Sequence, residues 1–235
     1  MGPHLKSLTG GVPRIPDPPV GVDRSEQARI ARHRLYPVTV LYTAFSLVTL
    51  GLGLHGRWPW AAGAFTAGVL VWTFVEYLAH RYVLHGIFPD GPGLRHLLHR
   101  RFDELHWEHH KRPWDGRHIN GTIRDTLPLV GPVVALSFLL PVFTVPAFLA
   151  GLIQAYIVEE WVHQSVHMYD FRDPYFRYIK RHHGYHHTEN GTERAFGLTN
   201  GAWDLALGTA ILQPDKAQVH DRALPTPYTS EAARG

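Results

Sequence analysis

Apolar positions along the chain fall into two long blocks, each interrupted once, and the stretches around them are polar and rich in histidine. Residues 38–54 are almost wholly apolar, His55-Gly56-Arg57 is a polar break, and residues 58–79 are apolar again apart from Glu76. Runs of about 17–25 apolar residues are long enough to cross a bilayer as helices. The pattern therefore predicts a transmembrane hairpin with spans at about 38–54 and 58–79. The second block, residues 127–158, is interrupted around Pro141–Pro146. It is too long for one straight span and short for two, so it predicts a second hairpin of short or tilted helices, about 127–142 and 144–160. A pair of buried core helices in a soluble protein is the competing reading, and the recurrence of the hairpin argues against it. The expected class is all-α, with four spans.

The flanks read differently. Residues 1–37 carry prolines, glycines and five arginines without an apolar signal-like core. They are expected to form a mobile N-terminal arm with at most a short helix near 25–35. Residues 38–212 then make one membrane domain, and 213–235 a C-terminal tail.

Charge orients the hairpins. Of 23 Lys and Arg, six lie in residues 1–37, eight in 81–126 and eight in 162–235, leaving Arg57 in the first hairpin turn. Positive residues collect on the cytoplasmic side of membrane proteins. Both termini and the central polar loop are therefore expected in the cytoplasm. The net charge of +3 is mild, and no Gly-rich phosphate loop or basic–aromatic module is present, so nucleic acid is not an expected partner. With no cysteine, disulfides, thiolate zinc sites, cysteine-held iron–sulfur clusters and cysteine catalysis are all excluded.

The anomaly is 18 histidines in 235 residues. Ten of them form four groups: His80 and His85; His106, His109 and His110; His163 and His167; His183, His186 and His187. At about 100° per residue, HxxHH puts three imidazoles within an arc of about 100° on a helix, and HxxxH puts two within about 40°. His80 and His85 would diverge by about 140° on a straight helix, which places one of them beyond a helix end. Every group lies at the end of the bundle expected to face the cytoplasm. Neutral imidazole suits iron, zinc, copper and nickel. Ten nitrogen donors exceed what one tetrahedral zinc can use, which points to two metals. His4, His33, His55 and His220 read as solvated residues, and His96, His99 and His118 share no face with the second group.

Read together, these residues resemble the fatty acid hydroxylase and sterol desaturase superfamily. Glu76-Tyr77-Leu78-Ala79-His80-Arg81, ending at His85, resembles its EYxxHRxxxH opening. The stretch from His106 to Asp115 resembles the HxxHHKxPxD element of the fatty acid 2-hydroxylase branch. His163 to His167 is similar to the HxxxH after its fourth span, and His183 to His187 to its closing HxxHH. Phe196-Gly197 with Trp203-Asp204 and Gly208-Thr209 resembles its FGxxxxxWDxxxGT tail.

The resemblance implies a four-helix membrane bundle with a cytosolic helical cap that holds two metals on the ten grouped histidines. Two irons are implied, with zinc able to replace them in purified material. The implied chemistry is O2-dependent hydroxylation of a lipid, in this branch at the 2-position of a fatty acyl chain. The 37 residues before the first span are too few for a cytochrome b5 domain, so electrons are expected from a separate cytochrome b5-like protein, ferredoxin or reductase. Where the branch often carries DxxRLVxPP, this chain has Asp115-Gly116-Arg117-His118-Ile119-Asn120. Carotenoid or sterol hydroxylases and desaturases with the same histidine framework stay open, as does a non-catalytic protein stabilised by zinc. Glu76, one turn before His80, is expected to accept a hydrogen bond from a ligand's second nitrogen, with Glu108, Glu159, Glu160 and Asp204 as further candidates for this support. Asp204 has an N-cap as its alternative, and His182 is a candidate outer donor rather than a ligand.

Overall fold

The computed structural model describes residues 15–86, 91–93, 95–96, 99, 102 and 104–211. Among them the regular structure is entirely helical. The expected tail at 213–235 and the first fourteen residues of the expected arm, with His4 and His220, lie outside the described residues.

Helix α1, Arg24–Leu78, is continuous except at Arg57, whose backbone (φ −144°, ψ 45°) breaks it where the polar triplet stands. The two limbs fold against each other, so that a β-carbon on Gly53 would sit 3.0 Å from the Ala61 side chain. The hairpin thus forms at the expected break, yet its first limb begins at Arg24, well inside the segment expected as an arm. Asp23 caps it by accepting from the Ser25 amide at 2.9 Å. A buried stripe of Ala28, Ala31, Leu35, Val38 and Tyr42 then runs without interruption through position 38. This stripe has helical spacing, but Arg29, Arg32 and Arg34 between its members lower the local hydropathy.

A π-helical turn, Ala79–Leu84, follows α1 directly. After it come α2 (Glu104–Lys111), α3 (Ile123–Ser137), α4 (Val145–Met168), α5 (Pro174–His186) and α6 (Ala202–Ala206). Helix α4 packs along both limbs of α1. Leu35, Val38 and Tyr42 share a core with Ile153 and Ile157. On the other limb the backbones meet at Gly68 and Gly151, where added β-carbons would stand 2.0 Å from the Phe148 and Phe65 carbonyl oxygens. Close helix approach of this kind suits lipid, where packing rather than water exclusion drives helix association.

Among the described residues three segments are long and apolar enough to cross a membrane: Arg24–His55, Arg57–Leu84 and Val145–Met168. The third expected span, 127–142, corresponds to α3, which stops at Ser137 after 15 residues. At 1.5 Å per residue it is about 22 Å long, short of a hydrocarbon core of about 30 Å. Large apolar side chains such as Val40, Leu47, Leu52, Trp58, Trp60, Leu70, Val133 and Leu136 are exposed on the outer faces of α1 and α3. Such a broad apolar surface fits a lipid-facing exterior.

Candidate metal centre

The four histidine groups meet at one end of the α1–α4 packing. They do not form one mixed cluster but divide into two sets. One ring nitrogen from each of His80, His85, His106, His110 and His186 lies within 4.8 Å of the others, and the same holds for His109, His167, His183 and His187, so each set could hold a metal ion. His163 joins the second set, its Nε2 standing 3.2 Å from that of His109, 3.1 Å from His183 and 3.2 Å from His167. All ten expected histidines are therefore brought together, five to each set. The sets are side by side: the His110 and His187 rings are 4.4 Å apart between centroids.

Local helix geometry explains the division. On α2, His106 and His110 are one turn apart and face the first set, whereas His109 faces the second. On α5, His183 and His187 share a face toward the second set, and His186 turns to the first. Helix α4 supplies His163 and His167 at the same four-residue spacing. The remaining pair is joined by the π-turn. An i→i+5 hydrogen bond from the His85 amide to the His80 carbonyl (3.1 Å) brings the rings to 5.1 Å. His85 stands just past the last residue of this turn, as expected from its divergence on a straight α-helix, and the wider turn brings it round toward His80.

The donor set fits metal. His80 Nδ1 donates to the Phe196 carbonyl at 2.5 Å, and His186 Nδ1 to the Arg194 carbonyl at 2.7 Å. A neutral imidazole has one N–H, so donation through Nδ1 leaves Nε2 a bare lone pair. His80 Nε2 is buried without a hydrogen-bond partner. In the second set, His183 Nε2 is 2.8–3.1 Å from the Nε2 atoms of His163, His167 and His187, more neighbours than one proton can serve. Burial first, then crowding by like rings, holds His106, His109, His110, His183, His186 and His187 well below the usual imidazole range. His85 is pushed down to about 2 by burial and then by His186. These rings are neutral at physiological pH, the form that coordinates metal.

Two buried carboxylates organise the outer layer, though not by the expected contact. Among the described residues Glu76 hydrogen-bonds no grouped histidine. It accepts from the Leu198 amide (2.5 Å), the Thr199 amide (2.8 Å) and the Thr199 hydroxyl (2.7 Å). Asp204 accepts from the Phe196 and Gly197 amides at 2.9 Å, from Thr209 Oγ1 at 2.7 Å and from His182 Nε2 at 3.0 Å. Burial opposes its charge, but these donors outweigh it and hold the Asp204 carboxyl below the usual range. Consecutive amides from 196 to 199 are thus clamped, and the Phe196 carbonyl is held against His80. Asp204 lies inside α6, whose N-cap is Gly201, so the capping alternative does not hold.

His182 is buried on Asp204 and outside both nitrogen sets, as an outer residue. Glu108 bonds Arg112 (2.6 Å) and Lys111 (3.2 Å) rather than a grouped histidine. Glu159 accepts from Trp72 Nε1 at 2.9 Å, and Glu160 from Asn120 Nδ2 at 2.8 Å, so neither supports a grouped histidine directly.

Sequence reasoning missed the carbonyl oxygens of Arg194 and Phe196 as imidazole acceptors. Between them Ala195 adopts a left-handed backbone (φ 56°) and is fully buried, its amide donating to the Thr209 carbonyl at 2.9 Å. No side-chain pattern announces a backbone acceptor; the FG and WD–GT spacing was the available signal. The opening and closing motifs also interlock through Tyr77, whose hydroxyl is 3.0 Å from Thr209 Oγ1 and accepts from Arg81 at 2.6 Å.

A cavity of about 370 Å³ adjoins both sets, with His80, His106, His109 and His163 in its wall. Val83, Leu84, Leu105, Leu129, Leu152 and Ile153 give it apolar surface, and Glu76, Asp125, Glu159 and Glu160 also line it.

The fatty acid hydroxylase family model matches residues 65–209, a stretch that contains every grouped histidine and both clamping carboxylates. The chain is 32% identical over 144 residues to the dihydroceramide fatty acyl 2-hydroxylase FAH2 of Arabidopsis thaliana, a match covering 60% of this chain and 58% of that protein. It is 31% identical over 157 residues to fatty acid 2-hydroxylase of Rattus norvegicus (66% and 41% covered). With the ceramide very long chain fatty acid hydroxylase SCS7 of Saccharomyces cerevisiae it shares 32% over 152 residues (64% and 38%). The matches thus span about two fifths to three fifths of these relatives. Among solved structures, the visible hydroxylase domain of full-length scs7p superposes with a TM-score of 0.66 at 27% identity, covering 77% of this chain and 67% of that one. With its histidine framework inside the matched stretch, the chain belongs to the fatty acid hydroxylase family.

Proposed function

We propose that this protein is a membrane-embedded lipid hydroxylase that uses O2 and two iron ions, one on each set of five imidazoles, to insert oxygen into a C–H bond. The favoured position is carbon 2 of a fatty acyl chain, the position for which the relatives from Arabidopsis and rat are named. The observation that carries this reading is the adjacency of two five-nitrogen sets to an apolar-walled cavity. When bound, the iron pair supplies oxygen activation, and the chain's own residues supply position and shelter. His80 and His186 are aimed by carbonyls of the 194–196 segment. Glu76 and Asp204 keep that segment in place, acting as positioning residues. The apolar cavity wall holds an alkyl chain and keeps water from the reacting carbon.

In the bilayer, α3 and α4 form a second, shorter hairpin beside α1, completing a four-helix bundle with α2, α5 and α6 as its cap. The histidines and both termini face the cytoplasm in this reading, which the distribution of lysine and arginine supports. Electrons come from a separate protein carrier.

The decisive experiment is lipid mass spectrometry of a host with and without the chain, grown under 18O2, with metal analysis of the purified protein. A chain-dependent lipid heavier by one 18O atom, with about two metals per chain, is expected. A product lighter by two hydrogens would instead assign desaturation, and unchanged lipids with bound zinc a non-catalytic role.

A further inference from the structure

Outside the metal centre, arginines gather where the first limb of α1 meets the segment following α2. Arg29, Ile30, His33, Arg34 and Arg117 line an open groove of about 510 Å³. Arg34 and Arg117 also line the internal cavity that reaches the histidines, so these two side chains form a wall common to both spaces. Arg29 is neutralised by Glu26 at 2.6 and 2.7 Å. Neither Arg34 nor Arg117 forms an ion pair among the described residues, and Arg34 Nε is buried without a hydrogen-bond partner. A buried guanidinium donor left unsatisfied is costly.

The carboxylates lining the cavity already have other donors. Asp125 accepts from the Thr122 amide and hydroxyl at 2.9 and 2.6 Å, Glu159 from Trp72, and Glu160 from Asn120. The buried donor left unsatisfied at this wall is Arg34 Nε, and Arg117 stands exposed on the same wall. Guanidinium groups match the oxygens of a phosphate or carboxylate two at a time. On the other side of the same wall the cavity carries the apolar side chains Leu129, Leu152 and Ile153 and reaches His80 and His163.

From this juxtaposition we infer that the groove is a head-group site: the substrate is an amphiphile with an anionic, phosphate-type head bound by Arg34 and Arg117 and its alkyl chain in the cavity. The alkyl part of this assignment rests on the lipid-hydroxylase reading; the anion site does not. General attraction of interfacial arginines to anionic membranes is the competing explanation, and a neutral bilayer removes it.

The test uses the full chain as purified, in phosphatidylcholine nanodiscs and without reductant, so that binding is read without turnover. Native mass spectrometry follows uptake of hexadecyl phosphate, hexadecanol and hexadecylphosphocholine, with inorganic phosphate as competitor. Hexadecyl phosphate is expected to bind at least roughly tenfold tighter than either of the others, as for a charge-assisted contact. R34Q/R117Q should abolish that preference, while R34K/R117K retains part of it. R117Q alone, at an exposed position, should weaken hexadecyl phosphate severalfold even if the double variant does not fold. Equal binding of the three amphiphiles, or a preference unchanged in R117Q, overturns the site. If inorganic phosphate alone competes as well as hexadecyl phosphate, the groove is a free-anion site and the lipid assignment fails. Failure of the hydroxylase reading would appear separately, as absence of 18O product with the binding preference intact.

Discussion

At the scale of single residues, the division of each HxxHH motif between two sets has a direct consequence. His106→Ala and His110→Ala remove ligands of the first set, and His109→Ala, from the same motif, removes one of the second. Each variant is expected to bind close to one metal per chain instead of two, and the double variant His106→Ala/His109→Ala close to none, as read by elemental analysis. If His106→Ala and His109→Ala lost the same metal, as judged by the spectrum of the remaining one, the two-set assignment would fall. The clamping carboxylates act one step further out. Glu76→Gln and Asp204→Asn each leave amides of residues 196–199 imperfectly matched. They are expected to weaken metal binding by about 10–100-fold and to lower stability by about 1–3 kcal/mol. Glu108 pairs with Arg112 and Lys111 rather than with a grouped histidine, so Glu108→Gln should change metal content little. Metal titration after chelation compares the three.

Elements carry the next level of explanation. The first limb of α1 is a folded part of the molecule from Arg24, because Ala28 and Ala31 pack on Ile119 and Met168. Ala31→Leu must overfill that contact and should destabilise by about 1–3 kcal/mol. Arg29→Ala, on the exposed face, is expected to stay within about 0.5 kcal/mol. Thermal unfolding in detergent distinguishes this from a mobile arm, for which both variants would be silent. The stripe was present in the sequence at helical spacing, but a hydropathy window averages over all faces and reads the arginines instead. Similarly, 140° of divergence between His80 and His85 followed from assuming an α-helix. The π-turn that resolves it depends on one wider hydrogen bond, which no residue type there dictates.

For the whole molecule, pH dependence follows from ten imidazoles packed together. Those outside the spans have folded-state values lowered from the usual imidazole value by burial and by one another. Below about pH 6.5 the unfolded chain takes up protons that these folded rings refuse. Stability therefore rises with pH across the window between the lowered values and about 6.5, and is fully present above it. Metal binding, which needs the same neutral rings, should follow the same direction. Lowering the pH from 7.5 to 5 is expected to release metal and reduce the unfolding temperature, whereas raising it to 8.5 should change neither. Retention of both metals at pH 5 with an unchanged unfolding temperature would contradict this origin.

The sequence by itself determined the helical class, the hairpin break at His55-Gly56-Arg57, the polar end at which chemistry collects, and the ten histidines that gather there. These depend on local quantities: run length against bilayer thickness, and the angle each residue advances along a helix. Tertiary structure decided which imidazole joins which set, since a helix face becomes a ligand only through the position of the helix opposite it. It also decided what Glu76 and Asp204 hold. Their partners lie on the 196–199 segment, 122 residues from Glu76 in the case of Leu198, and are backbone amides whose identity no side chain encodes. Spacing along a chain specifies direction; only the crossing of elements specifies where directions meet.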